Sequence, residues 1–454
     1  MKKLIALLLS LVMLLSLAAC GKDDTSKNDD DDKESASQVE NKGDKTTEPG
    51  DDNKKDPVIS NEITIENLMN YPESPASDFT VTDNGDGTGT VAKYNGNAEI
   101  VVIPGELNGL KITILGKEAF AENSTLKMVR FCDSLLNTGE SAFENVKTLQ
   151  IVALGKAFQE FGEQTFSRCN ALNHIEFNDS VERIGGMCFW GCGFEAIAIP
   201  DSVVEIGGTA FGKCSSLKQI TLPAGLTELP YACFDECRNL VDIQIPNSVT
   251  EIGNECFASC ESLVSIQIPD SVTRLGAEHH GEGVFRNCSA LENVTLPSKL
   301  EYLGENLFEG CKNLKTLQIP DTVRSIYPYA FEDCKALESI DWPNDIGFLD
   351  STCFGRCEAL TYVEIPGTVR HVPRTAFQYC TGLETVVIAD GVEEIMDMSF
   401  WNCENLKSVE IPASVTEIGR DIFEGCPENV EIIGVAGSYA EQYANENGIT
   451  FQAK

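Results

Sequence analysis

Ile245-Pro246-Asn247-Ser248-Val249-Thr250-Glu251-Ile252-Gly253-Asn254-Glu255-Cys256-Phe257-Ala258-Ser259-Cys260-Glu261-Ser262-Leu263 is followed, 23 residues on, by a second copy beginning Ile268-Pro269-Asp270-Ser271-Val272. One phenylalanine marks the phase of each copy: Phe120, Phe143, Phe166, Phe189, Phe211, Phe234, Phe257, Phe285, Phe308, Phe331, Phe354, Phe377, Phe400 and Phe423. The gaps are 23 residues throughout, except 22 before Phe211 and 28 before Phe285. A unit of that size cannot bury its own apolar face, so it must lean on its neighbours. A fixed period in this range therefore predicts a solenoid of stacked repeats.

Within the copies, Leu-x-x-Ile-x-Ile-Pro, as in Leu263 to Pro269, reads as a short strand. It closes at the proline, where the ladder loses a donor. Val-x-x-Ile-Gly and a turn ending in Ala-Phe or Cys-Phe follow. Stacking predicts a mainly β ribbon with short helical turns and a parallel sheet on one face. About 14 units at the usual strand spacing would run about 65 Å. The Phe and Leu rows are expected to be core.

The whole chain has 454 residues and a net charge of −37. Without a basic patch to displace counterions, nucleic acid and anionic lipid surfaces are excluded as partners. Lys2 and Lys3 precede an apolar run, Leu4 to Leu17, that is short for a bilayer span. Its end, Leu17-Ala18-Ala19-Cys20-Gly21, resembles a bacterial lipobox. Residues 1–19 are thus expected to be a lipoprotein signal peptide, with Cys20 as the lipidated first residue of the mature chain. The competing reading is an ordinary signal peptide with an incidental cysteine. Residues 20–60 are almost free of apolar side chains and include Asp29-Asp30-Asp31-Asp32, which suits an acidic, disordered tether. Such a tether reaches about 35 Å.

Residues 61–105 read as an N-terminal cap, with a short helix over Ile65–Asn70 and a hairpin turning at Asp83-Asn84-Gly85-Asp86-Gly87. Residues 106–433 form the solenoid proper, and residues 434–454 a closing cap.

The copy from Ile199 to Leu217, Ile-Pro-Asp-Ser-Val-x-x-Ile-Gly-x-x-Ala-Phe-x-x-Cys-x-x-Leu in pattern, is similar to BspA-like leucine-rich repeats. Gly437-Ser438-Tyr439 through Phe451 resembles the closing helix and strand of that family. The resemblance covers about residue 76 to the C-terminus. It implies a bacterial cell-surface protein of the envelope, facing outward, with an interaction or adhesion role and no shared catalytic site or cofactor. Asn123 and Val146 depart from it, standing where later copies carry cysteine.

Of 18 cysteines, twelve stand three residues after a ring, from Cys169 to Cys426. Cys188, Cys233, Cys256 and Cys353 directly precede a ring. The expected role is a row of small buried side chains with mostly free thiols, since 17 remain without Cys20 and cannot all pair.

Two places invite a functional reading. Residues flanking the central Ile of each strand should face solvent. Early in the stack these include the apolar set Met128, Ile151, Ala153, Ala196 and Ala198, with Arg130 and the pair His174/Glu176. Later the face is small, polar and mildly acidic, with Tyr362/Glu364 its largest pair. An exposed apolar patch marks a contact surface for a protein or glycan. The alternative is that the N-terminal cap covers it. The five-residue insertion, in Ala277-Glu278-His279-His280-Gly281-Glu282-Gly283, offers donors of the kind that hold zinc. Adjacent residues ligate one ion poorly, so a tolerated loop competes with that reading.

No Ser–His or Cys–His pattern points to nucleophilic catalysis. The sequence thus reads as a monomeric, non-catalytic lipoprotein that binds an extracellular or cell-surface partner. A passive envelope lipoprotein is the first alternative and a solute-binding lipoprotein the second; the latter needs two αβ lobes and a hinge, which the period does not leave room for.

Overall fold

The computed structural model describes residues 64–277, 281 and 283–454. Cys20, the stretches expected to be a signal peptide and a tether, His279 and His280 lie outside the described residues. The remainder is a parallel-strand solenoid of about 16 turns.

The N-terminal cap holds a helix, α1 (Ile65–Asn70), and a hairpin of β1 (Phe79–Asp83) and β2 (Thr88–Tyr94). Thr64 caps α1 by accepting from the Asn67 N–H at 3.2 Å. The hairpin turns where the Asp83 and Asp86 carboxylates accept from the N–H groups of Gly85 and Thr88. Gly85 and Gly87 lie at φ 84° and 85°, a region that glycine enters without strain. β3 (Ile100–Val102) opens the first ladder of the stack. After the short β4 (Glu106–Leu107), β5 (Leu110–Leu115) pairs with β2 in parallel and opens a second.

The first ladder is the one read from the sequence. Val101, Val129, Val152 and Ile175 stand in direct parallel register, and Val363, Val386, Val409, Ile432 and Phe451 repeat this at the far end. The Val-x-x-Ile-Gly segment adds a parallel ladder of its own, two residues per turn. Leu229, Ile252 and Leu275 are in register there, as are Leu303, Ile326 and Leu349.

The third segment, expected as a short helical turn, is built differently. The residues two before and two after a ring are left-handed, as at Glu118 and Glu122 around Phe120, or Glu255 and Ser259 around Phe257. Each such non-glycine residue costs about 1–2 kcal/mol locally. The alternation turns successive N–H groups towards the next repeat. Phe120, Glu122 and Phe143 donate to Ala142, Glu144 and Thr165 at 2.7–2.9 Å. The bonds that offset the local cost exist only between stacked units.

Inside, consecutive rings of the phenylalanine row lie 4.7–6.2 Å apart, near parallel, from Phe120 to Phe423. Tyr94 of β2 continues the row at 4.9 Å. Beside it, each of the twelve cysteines from Cys169 to Cys426 donates its thiol to the carbonyl of the preceding repeat's phenylalanine at 3.1–3.4 Å. The thiols are free, and all but Cys426 are buried. They fill a slot as expected, and each thiol adds a second donor to a carbonyl that also accepts a backbone N–H of its own repeat, as Phe257 does from Cys260 at 3.2 Å. The stack closes with α2 (Tyr439–Asn447) and Thr450–Ala453, which pairs with Glu431–Gly434.

Candidate interaction surface

In each strand of the first ladder the central aliphatic residue points inward and its two neighbours point outward. His174 and Glu176 follow this rule, exposed on either side of buried Ile175. Their side chains meet at 3.4 Å. Ala196, Ala198, Tyr362 and Glu364 are also exposed, and the Tyr362 hydroxyl donates to Glu364 at 3.3 Å.

Three expected surface residues are not at the surface. Met128, Ile151 and Ala153 are 1%, 7% and 1% exposed, packed with Leu68, Val102 and their neighbours into a small core of their own. The reason is α1. It lies across these strands with Leu68 fully buried, and the half-buried Arg130 pins it by donating to the Met69 carbonyl at 2.7 Å. The part of the apolar patch formed by Met128, Ile151 and Ala153 is thus the seat of the cap, while Ala196 and Ala198 stay exposed. The alternative weighed from the sequence is the arrangement found.

What remains open is the middle of the face. Gln219, Thr221, Gln244, Ser265, Gln267, Asn293, Thr295, Thr316 and Gln318 are all exposed, with Asp242 as the one charge among them. Further along, Thr385, Ser408 and Glu410 are half-buried, and Lys454 of the closing cap pairs with Glu410. The open face is therefore a neutral window of amides and hydroxyls in a strongly acidic chain.

The second ladder carries ion pairs between successive repeats. Arg183 bridges Glu160 and Glu205 of the adjacent repeats at 3.1 and 3.0 Å, and Arg274 meets Glu251 at 3.0 Å. Such exposed pairs are worth about 0–1 kcal/mol each. Midway, the charges give way to aromatic rings. Tyr302 and Tyr327 meet at 5.9 Å, and Tyr327 and Phe348 at 6.0 Å. Lys299, Glu301, Tyr302, Thr322, Arg324, Ser325 and Tyr327 line a hollow of about 660 Å³ there. The sequence reading passed over this groove, although its residues break the period in plain sight. Among the described residues, no three His, Cys, Asp or Glu side chains are placed to hold a metal ion.

Residues 94–200, 182–315, 278–407 and 371–441 match the model of the BspA type leucine-rich repeat region, in six copies. The chain belongs to that family. Among solved leucine-rich repeat structures, a leucine-rich repeat protein from Bacteroides ovatus is similar at 26% identity. The likeness covers 83% of this chain and 98% of that one, with a TM-score of 0.68. A leucine rich cell surface protein from Faecalibacterium prausnitzii is similar at 25% identity over the same shares, with a TM-score of 0.50. No curated protein matches the chain. BspA-type repeats supply stacking residues and outward positions; nothing in their pattern assigns a reaction.

Proposed function

We propose that this BspA-type chain is a lipid-anchored protein of the bacterial cell surface that binds another protein through its open strand face. The carrying observation is the neutral window from Gln219 to Gln318, which holds a single carboxylate in a chain of net charge −37. Amides and hydroxyls spaced by the strand ladder pair with a partner's polar groups without the repulsion that acidic surfaces impose. Being strand-borne, they are already ordered before binding, which lowers its entropic cost. The similarity to a protein described as a cell-surface one supports the location. The lipobox-like Leu17-Ala18-Ala19-Cys20 supports the anchor: two or three acyl chains on Cys20 hold a protein stably at a membrane.

The intact chain, immobilised and exposed to extracellular-matrix and bacterial surface proteins, should retain a defined partner. A Gln244→Glu/Gln267→Glu/Gln318→Glu variant should lose it by at least tenfold while melting as the wild type does. Retention of nothing, or equal retention by the variant, would favour a passive envelope lipoprotein. Separately, Cys20→Ala should abolish lipid labelling and release the chain from the membrane fraction. An unchanged membrane fraction would remove the anchor from the reading.

A further inference from the structure

The repeat acts as its own reference. In the second ladder, the outward residue before the inward aliphatic is Glu160, Arg183, Glu205, Glu228, Glu251 and Arg274 in successive units. In the next three it is Tyr302, Ser325 and Phe348, in direct parallel register with one another. The residue after the inward side chain is most often glycine, as at Gly139, Gly162, Gly185, Gly207, Gly253 and Gly304, with Pro230, Pro373 and Met396 in other units; after Ile326 it is Tyr327. The stack folds with a charge or a glycine at these positions, so packing does not require the aromatics. Phe348 is 45% exposed. Tyr302 and Tyr327 beside it are half-buried, and a cluster of partly open rings on a charged surface marks a binding site.

Their surroundings define the ligand. The hollow of about 660 Å³ falls in the range that holds a small ligand. A stable protein interface needs about 800 Å² on each side instead. Phe348, in contact with Tyr327, also lines a second hollow of about 240 Å³ further along the ladder. The rings therefore stand in a row along a groove. Lys299, Glu301 and Arg324 supply donors and an acceptor beside them, and Arg324 is held in place by the Asp321 carbonyl at 2.6 Å and Asp345 at 3.3 Å. A purely apolar ligand would take Lys299, Glu301 and Arg324 out of water without new hydrogen bonds in return, at a cost that apolar contact does not offset.

We propose that this groove binds an oligosaccharide laid along the ladder. A pyranose has one face of C–H groups, which sit well on the electron-rich face of an aromatic ring. Its hydroxyls, at the ring edge, reach Lys299, Glu301 and Arg324. The site is on a different ladder from the protein-binding window and stands independently of it.

The test is binding of the labelled intact chain to an array of neutral and acidic oligosaccharides. The wild type should retain at least one class of them. A Tyr302→Ser/Tyr327→Gly/Phe348→Ser variant installs residues that the chain itself uses in register, Ser325 and Gly304. It should bind at least tenfold more weakly with an unchanged melting curve, while Tyr302→Phe keeps binding and the Gln244/Gln267/Gln318 variant binds normally. If the triple variant melts lower, Tyr302→Ser alone carries the comparison. Retention of no oligosaccharide by the wild type, or undiminished binding by the aromatic variants, overturns the proposal.

Discussion

The Cys288 thiol donates to the Phe257 carbonyl at 3.1 Å across 31 residues, whereas the flanking bonds, Cys260 to Phe234 and Cys311 to Phe285, each span 26. The rings of Phe257 and Phe285 stay in step as well, 5.7 Å apart and 3° from parallel. The insertion thus leaves both internal ladders in register. Lengthening a loop costs only a fraction of a kcal/mol per doubling. A chain lacking residues 278–282 should therefore fold with stability within about 1 kcal/mol of the parent, read from urea unfolding. A larger loss would mean that the insertion itself sets the register. Titrating zinc into this deletion and into the parent tests the His279/His280 site at the same time, since equal heats leave no metal there.

The thiol ladder sets an alkaline limit. Burial pushes the thiols of Cys169, Cys214 and Cys288 up to about 12. Below the ordinary thiol value both folded and unfolded chains keep these protons, and the stability gained by burying neutral thiols is complete. Above it the unfolded chain releases protons that the folded chain still holds, so stability falls as pH rises towards 12. Each such thiol steepens the fall by up to about 1.4 kcal/mol per pH unit. Unfolding under reducing conditions at pH 8, 9.5 and 10.5 should show this slope, and Cys214→Ala should make it shallower by one thiol's share. A flat profile over that window would show that the thiols do not titrate on unfolding. Cys426 behaves oppositely. It is half-buried, and its contact with the neighbouring Cys403 side chain draws it down, so thiol reagents should reach it first.

Much of this was legible because the same physics is written many times over. A ring about every 23 residues and a proline after most of the strand segments leave few alternatives to a stack. The second ladder was harder to see, since only two residues per turn pair, as at Glu251–Ile252, too few for an alternating pattern. The donor role of the cysteines was hidden because their acceptor lies a full repeat away. The burial of Met128, Ile151 and Ala153 depends on where α1 settles. That contact occurs once and leaves no period. Tyr302, Tyr327 and Phe348 carried the opposite kind of signal, a break in the period, which lining up the outward positions of successive copies would have exposed.

Position along the ring row should grade the cost of truncation. Phe257 is fully buried and stacks on Phe234 at 5.5 Å and on Phe285 at 5.7 Å. Phe423 is half-buried and follows Phe400 at 6.2 Å at the end of the row. Phe257→Ala should cost about 3–5 kcal/mol, the usual range for emptying a packed aromatic site. Phe423→Ala should cost clearly less, because the cavity opens towards solvent and fewer units lean on it. Urea midpoints of the two variants decide this, and equal losses would mean that the ends of the stack are as tightly coupled as the middle.

α1 is six residues long, too short to hold a helix by itself. Its hold on the stack rests on Leu68, fully buried among Val102, Met128, Ile151 and Ala153, and on the Arg130 bond to Met69. Leu68→Ala should weaken that contact by about 2–5 kcal/mol. The loss should stay local, because each unit of a stack touches only its neighbours. Amide exchange should rise at least tenfold over residues 64–71 and in the strands at 128–130 and 151–153, with no change over 385–434. Leu68→Met, which keeps the volume, should leave exchange near the parent's. If protection fell evenly along the whole chain, the cap would be part of the global folding unit and not a cover over the first strands.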